Sequence, residues 1–251
     1  MSSIVFYFSG TGNSLSVAKA LADGEQPLNI AVSPIRTYEA DTIGFVYPAY
    51  CGGAPRMLED FIKNCEFRSE YIWAIVTHGG APGNALGDAA ELLRQKGLKL
   101  SYGKDIRLPD SVILFATPEP AKTELLDTES ERVAEIKRAI DGRELREIKF
   151  SRWQKRFSRV TWFGFKYILG IRYKWATNDC LNCTQCIRQC PTQNITVKNN
   201  KASFGNNCEY CFGCIQYCPN NAIRFGIVKR SPKTQYNHPK ILAKEMIKRN
   251  K

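Results

Sequence analysis

Eight of the ten cysteines fall within 39 residues, in a pattern written twice. Cys180-x-x-Cys183-x-x-Cys186-x-x-x-Cys190-Pro191 is followed by Cys208-x-x-Cys211-x-x-Cys214-x-x-x-Cys218-Pro219. Each run has the C-x₂-C-x₂-C-x₃-C-P spacing with which bacterial chains hold iron–sulfur cubanes. Three thiolates of a run lie on one tight loop, and the fourth reaches across to the other cluster. The expected ligand sets are therefore Cys180, Cys183, Cys186 and Cys218 for one [4Fe–4S] cluster, and Cys208, Cys211, Cys214 and Cys190 for a second. Zinc and disulfides are the competing uses of paired cysteines. Zinc sites separate two ligand pairs by a longer gap. Disulfides need an oxidising compartment, and no leader peptide is expected, because residues 4–8 read as an apolar strand. Cys51 and Cys65 have no partner spacing, and Cys65 is expected as a small residue at a helix end.

With 251 residues the chain has room for one average domain and a small one. A cluster unit this small buries little apolar surface, so metal centres must supply much of its stability. Charge is divided as unevenly as cysteine. Residues 1–142 hold 14 Lys and Arg against 19 Asp and Glu, a net −5, whereas residues 143–251 hold 22 against 5, a net +17. Bound clusters would lower the formal +12 by about four charges. A basic half suits an acidic protein partner, an anionic membrane surface or nucleic acid. No segment matches a nucleic-acid-binding module, so nucleic acid is not an expected partner.

Residues 1–142 alternate strand and helix signals. Apolar runs stand at 4–8, 28–32, 43–47, 71–77 and 112–116, with helical periodicity at 15–22, 55–65, 84–96 and 129–141. The alternation predicts an α/β fold, a doubly wound parallel five-stranded sheet. Ligands of such sheets sit beyond the C-terminal strand ends, at the switch in strand order. The loops leaving the first, third and fourth strands are therefore the candidate site.

The first loop is Ser9-Gly10-Thr11-Gly12-Asn13-Ser14. Its glycines, hydroxyls and following helix N-terminus suit one terminal phosphate. It lacks the Gly-Lys-Ser/Thr of a Walker A loop, and Leu15 replaces the third glycine of the dinucleotide fingerprint. A Gly/Ser turn without a ligand is the bland alternative. The second loop contains Pro48, Ala49, Tyr50, Cys51 and Gly52, and the third Thr77, His78, Gly79, Gly80 and Gly83. Glycines there admit a flat ring, and Tyr50 and His78 could stack on its faces. The Cys51–Gly52 or Gly52–Gly53 peptide could turn a carbonyl toward a protonated nitrogen of that ring.

Residues 9–14 resemble the phosphate loop of flavodoxins, and the later loops resemble their ring-binding loops. The cysteine segment is similar to two-cluster bacterial ferredoxins. From FSGTGNS through CPTQNI and CPNNAI to Tyr236-Asn237-His238-Pro239, nearly the whole chain resembles the flavodoxin–ferredoxin fusions called EFR-family ferredoxins. The resemblance implies a flavodoxin-like domain with FMN at 1–142 and a small α+β two-cluster ferredoxin-like domain at 176–228. Residues 143–175 form a basic, aromatic connector, and 229–251 a basic tail expected to fold back or fray. The chain departs from small carrier flavodoxins in its basic second half. Its ring loops also lack tryptophan and carboxylate, so fully reduced flavin should be less disfavoured.

Between Lys149 and Lys174 the connector interleaves aromatics with eight Lys and Arg. Its apolar stretch at 160–171 is shorter than the roughly 20 residues that span a bilayer. Its aromatics are expected to pack between the domains, with peripheral contact to an anionic membrane through 149–175 as the second reading. Together the parts predict an electron carrier, with a redox protein as donor, another as acceptor, and an acidic docking face on the partner. The alternative is a ferredoxin-fed flavin reductase acting on a small oxidant, with His78 as proton donor. Exposed cubanes and free thiols point to a reducing, anaerobic cytoplasm.

Overall fold

Alternation of period two builds the central sheet. The computed structural model describes residues 2–112, 116–168, 170, 172–226 and 235–246. The first half runs β1 (Ser3–Tyr7), α1 (Asn13–Leu21), β2 (Leu28–Asn29), β3 (Thr37–Glu39), β4 (Thr42–Pro48), α2 (Arg56–Asn64), β5 (Glu66–Arg68), β6 (Tyr71–His78), α3 (Ala85–Gln95) and β7 (Tyr102–Arg107). Two further helices follow, α4 (Glu119–Asp127) and α5 (Glu129–Asp141). Along the strands, Val5, Tyr7, Tyr71, Trp73 and Ile75 pack against Leu15 and Val17 of α1 and Val133 and Ile136 of α5. Their neighbours Phe6, Phe8, Ile72, Ala74 and Val76 pack on the opposite face, against Leu58 and Ile62 of α2 and Ala89 and Leu93 of α3. Each fully buried aliphatic or aromatic side chain stabilises the fold by about 1.5–3 kcal/mol. A sheet covered on both faces therefore tolerates few polar residues in its centre.

The sheet order is β2-β1-β4-β6-β7, with every pairing parallel. Counted along the chain this is 2-1-3-4-5, the flavodoxin-like doubly wound order, whose switch lies between the first and third strands. β3 and β5 form a separate parallel pair.

Among the described residues the fifth strand is another segment than the run expected at 112–116. It is β7, whose Lys104 and Arg107 are charges that an edge strand can turn to solvent, and these mask the apolar signal. Most of the expected strand, residues 113–115, lies outside the described residues. Helix α4 was not expected either; it buries no side chain, so it carries no apolar stripe to read. Cys65 caps the C-terminal end of α2, fully buried.

Beyond residue 142 come α6 (Arg152–Phe163) and a π-helical turn at Gly164–Ile168. Ser151 starts α6 by accepting the Gln154 N–H on its hydroxyl. β8 (Lys174–Ala176) then pairs antiparallel with β11 (Ile223–Phe225), while β9 (Ile195–Lys198) and β10 (Lys201–Phe204) make a hairpin. Short helices α7 (Gln185–Gln189) and α8 (Gly213–Gln216) follow the two cysteine loops. A small core of Tyr210, Phe212, Ile215, Ile223 and Phe225 holds this part together. The tail folds back through its described residues 235–246, burying Tyr236, His238 and Ile241. Residues 229–234 and 247–251 of the tail, and Leu169 and Ile171 of the connector, lie outside the described residues.

Candidate functional site

Three loops at the switch of strand order meet around one cleft. It is lined by Ser9, Gly10, Thr11, Asn13 and Ser14 from the first, Pro48, Ala49, Tyr50, Cys51 and Gly52 from the second, and Thr77, His78, Gly79 and Gly80 from the third. Gly12 and Gly83 stand outside the lining. Gly12 opens α1 at φ 101°, a left-handed conformation suited to glycine, with the tail's His238 pressed against it. Gly83 backs onto Gly52.

Local hydrogen bonds shape the first loop. Ser9 Oγ accepts the Gly12 N–H at 3.0 Å, which leaves the hydroxyl proton for a ligand. Ser14 Oγ lies 2.8 Å from Thr77 Oγ1, tying α1 to the end of β6. Backbone N–H groups at the start of α1, with the helix dipole behind them, complete a cradle for an anion. From outside, the Thr11 carbonyl accepts from Tyr217 Oη at 3.2 Å and from the His238 N–H at 2.9 Å. Asn13 Oδ1 accepts from Tyr236 Oη at 2.6 Å.

The second loop carries left-handed backbone at Cys51 (φ 48°) and Gly52 (φ 74°). The Gly52 carbonyl is committed to the Asn84 N–H at 2.7 Å, so Cys51–Gly52 is the peptide of the two free to turn. Burial pushes the Cys51 thiol up to about 11, and Asp110 adds to the shift, which makes it a poor nucleophile at neutral pH. In the third loop, His78 Nε2 is held 3.0 Å from Asp105 Oδ2, while Nδ1 is buried with no partner among the described residues. A Cβ built on Gly80 would meet nothing within 4 Å, which leaves open space beside that residue. These features fit a planar ring ending in a phosphate, as FMN is.

Three further segments contribute to this cleft and were missed. The loop after β7 brings in Asp110, whose carboxyl burial pushes above its ordinary range against the N–H groups of Val112 and Ser111 and the charge of His78. The ring loops themselves carry no carboxylate, and the one in the cleft comes from this further loop. Helix α6 and the turn after it contribute Trp162 and Phe165. Trp162 lies parallel to Tyr50 within 3°, ring centroids 6.4 Å apart, and edge-on to Tyr210 at 5.1 Å. The tryptophan missing from the ring loops thus comes from the connector. The last contributors are Tyr210, Cys211 and Phe212, from the second cysteine loop.

The cysteines gather around two further cavities. One is lined by Cys180, Cys183, Cys186 and Cys218, the other by Cys190, Cys208, Cys211 and Cys214. Among the described residues, no three His, Cys, Asp or Glu side chains sit as ligands of a single metal ion would. The fours surround shared spaces instead of converging on points. Both loops are wound alike, with left-handed residues at Asn182, Thr184 and Gln193 in the first and at Tyr210, Phe212 and Asn221 in the second. Such turns aim successive N–H groups inward, as in backbone nests that hold anions. The Asn194 and Ala222 N–H groups each donate to the sulfur four residues back, Cys190 and Cys218, at 3.2 Å. Tyr210 N–H donates to Cys208 Sγ at 3.3 Å, and Lys174 Nζ lies 3.2 Å from the same sulfur. Burial, reinforced by neighbouring cysteines, pushes Cys186 up to about 11 and Cys211 to about 12. Thiols so disposed ionise when a bound cation compensates their charge, and the inward N–H groups then stabilise the sulfurs. The donor set fits a cubane on each side.

The cleft and the second cysteine cavity share walls: Cys211 and Phe212 line both. The approach is close enough to demand glycine. A Cβ on Gly10 would overlap the Cys211 carbonyl oxygen, and one on Gly213 would stand 2.8 Å from the Gly10 oxygen.

No family's sequence profile matches the chain, and no curated protein matches it. Among solved structures, it is similar to a protein described as a flavoprotein from Bacteroides uniformis, at 19% identity and a TM-score of 0.36, over 49% of this chain and 97% of the other. A second such protein, from Bacteroides eggerthii, matches at 21% identity and a TM-score of 0.30, over 51% and 96%. An azoreductase from Bacillus anthracis matches at 11% identity and a TM-score of 0.38, over 55% and 99%. Likenesses this distant carry no functional weight, and the fold assignment rests on strand order.

Proposed function

We propose that this chain is an electron carrier that holds FMN in the three-loop cleft and a [4Fe–4S] cluster in each cysteine cavity, the cysteine part being a ferredoxin-like domain. When bound, each cubane exchanges one electron at a time and FMN one or two. The chain's own part is to hold these groups in a fixed order. The observation that carries the reading is the wall shared by the cleft and the Cys190/Cys208/Cys211/Cys214 cavity. It supports an order of flavin, second cluster, first cluster, ending near the exposed Cys183 and Leu181. A redox protein would then meet the chain at that end. The positive charge of Lys174 beside Cys208 favours an extra electron on the second cluster. Asp110 opposes negative charge on the flavin. Trp162 and Phe165 add apolar walls to the cleft on the connector side.

The test compares two variants of the anaerobically reconstituted protein. Cys183→Ser is expected to lose one cluster and keep its FMN affinity. Cys211→Ser is expected to lose the other and to weaken FMN as well, since that residue walls both sites. Equal effects of the two variants on FMN binding would reject the order. Oxidation of the reduced flavoprotein by small oxidants, much faster than that of free FMN, would favour the reductase.

A further inference from the structure

Helix α6 has two working faces, and the cleft uses only one. Ser158 is buried beside Gly53, Lys155 reaches the carboxylates of Glu59 at 2.6 Å and Asp88 at 3.0 Å, and Trp162 walls the cleft. The opposite side carries Trp153, Phe157 and Val160 at helical spacing, exposed by 76%, 67% and 64%. Phe163 and Ile168 continue the exposed apolar row at 60% and 73%. Of the fourteen large hydrophobic side chains exposed among the described residues, eight lie between Trp153 and Trp175. A soluble surface rarely gathers so much apolar area without a partner.

Charge flanks the row. Residues 148–178 contain eight Lys and Arg and no Asp or Glu. On one side of the crest, Arg152, Arg156 and Arg159 line a hollow against α2 and α3. The acids there are already bound: Glu59 and Asp88 to Lys155, and Glu91 to Arg94 at 2.8 Å. Arg152, Arg156 and Arg159 make no ion pair among the described residues, and Arg152 lies in the field of Glu91.

We propose that this face of α6 docks on an anionic lipid surface. The rings and Val160 would enter the headgroup boundary, and the three guanidiniums would take lipid phosphates. Here the apolar residues form the crest of a convex helix with arginines along one flank, the arrangement of an interfacial helix. No described helix is long and apolar enough to cross a membrane, so the contact is peripheral. Docking would put lipid on the far side of α6 from the cleft, leaving the cofactor loops uncovered. The proposal does not depend on which cofactors the chain carries.

The test is flotation of the full chain with vesicles of phosphatidylcholine alone or mixed with phosphatidylglycerol, at low and high salt. Binding is expected only to the mixed vesicles, weakened by salt. The double variant Arg152→Gln/Arg156→Gln should bind about thirtyfold more weakly, at roughly fivefold per arginine near an anionic surface. Trp153→Ala/Phe157→Ala should bind at least roughly tenfold more weakly, from the apolar area no longer buried. Both variants change exposed residues, and circular dichroism should match the parent. Absence of flotation with mixed vesicles, equal flotation with neutral ones, or indifference to both variants would overturn the proposal. So would a concentration-dependent dimer that Trp153→Ala/Phe157→Ala abolishes, since the face would then belong to a second copy of the chain.

Discussion

Gly10→Ala probes the contact on which the account of electron flow depends. Gly10 does not occupy the left-handed region, so its backbone accepts alanine. The obstacle comes from the other half of the chain. The new Cβ would overlap the Cys211 carbonyl oxygen and lie 3.0 Å from both its carbonyl carbon and its Cβ. The obstructing atoms are backbone, in a loop set by left-handed residues on either side, Tyr210 and Phe212, so they cannot swing aside. The two loops must part by about 1 Å to restore ordinary separations. Overpacking of this kind costs about 1–3 kcal/mol. For a chain of this size that lowers Tm by about 2–12 °C. If the strain is relieved by opening the cleft, FMN affinity falls by about 5- to 150-fold. Differential scanning fluorimetry and flavin fluorescence titration measure the two effects. Gly213→Ala approaches the same contact from the cysteine side and should weaken FMN less, because its Cβ would meet the Gly10 oxygen at 2.8 Å. An alanine early in a helix normally stabilises it, so loss of affinity in that variant has no local cause. Gly164→Ala, whose nearest neighbour would be 4.0 Å away, serves as the unaffected control. Parent-like Tm and FMN affinity in both Gly10→Ala and Gly213→Ala would show that the loops do not touch, and the order would fall with them.

Other parts of the structure make separate expectations. Trp162→Ala removes a ring parallel to Tyr50 and should weaken FMN about 2- to 13-fold without changing iron content, read by fluorescence titration and iron assay. Lys174→Met removes a positive charge beside Cys208 and should move the midpoint potential of one cluster to more negative values, leaving the other where it was, as read by EPR-monitored titration. Glu129 is buried, which alone would raise its carboxyl, but the hydrogen bond and charge of His238, with Ser16 and Lys240, hold it below its ordinary 4.5. A depressed carboxylate stabilises the fold at neutral pH and loses that contribution as pH falls through its folded value, below about 4.5. Glu129→Gln should therefore be less stable than the parent at pH 7, by about 1–3 kcal/mol, with the difference shrinking as pH falls below that value in urea titrations followed by flavin fluorescence.

How much of this could be read from the sequence depends on the range of the interactions. The cysteine spacing is local, and the cavities gather the same fours that the spacing groups. The three loops follow from strands with strong apolar runs. Tyr102–Arg107 was lost because an edge strand can carry Lys104 and Arg107 without leaving the sheet, whereas the more apolar 112–116 run drew the assignment. Trp162 and Asp110 reach the cleft from segments more than 50 residues beyond the ring-loop residues of the second strand end, through packing that no local periodicity encodes. The connector showed aromatics and charges but not their division: Trp162 and Phe165 turn inward, while Trp153 and Phe157 turn out. For the tail the sequence left open folding back or fraying, and it named no contact. Its role, with Tyr236 on Asn13 and His238 against Gly12 and Glu129, exists only once α1 and α5 are side by side.

Diffraction at the iron absorption edge, from crystals of the anaerobically reconstituted protein, tests the central claim most directly. The expected result is about eight irons and one FMN per chain. One iron centre should be held by Cys190, Cys208, Cys211 and Cys214 against the flavin cleft, and the other by Cys180, Cys183, Cys186 and Cys218 farther away. A single ion on each cysteine set, a cubane held by four cysteines of one run, or a flavin seated nearer the Cys183 centre would contradict it.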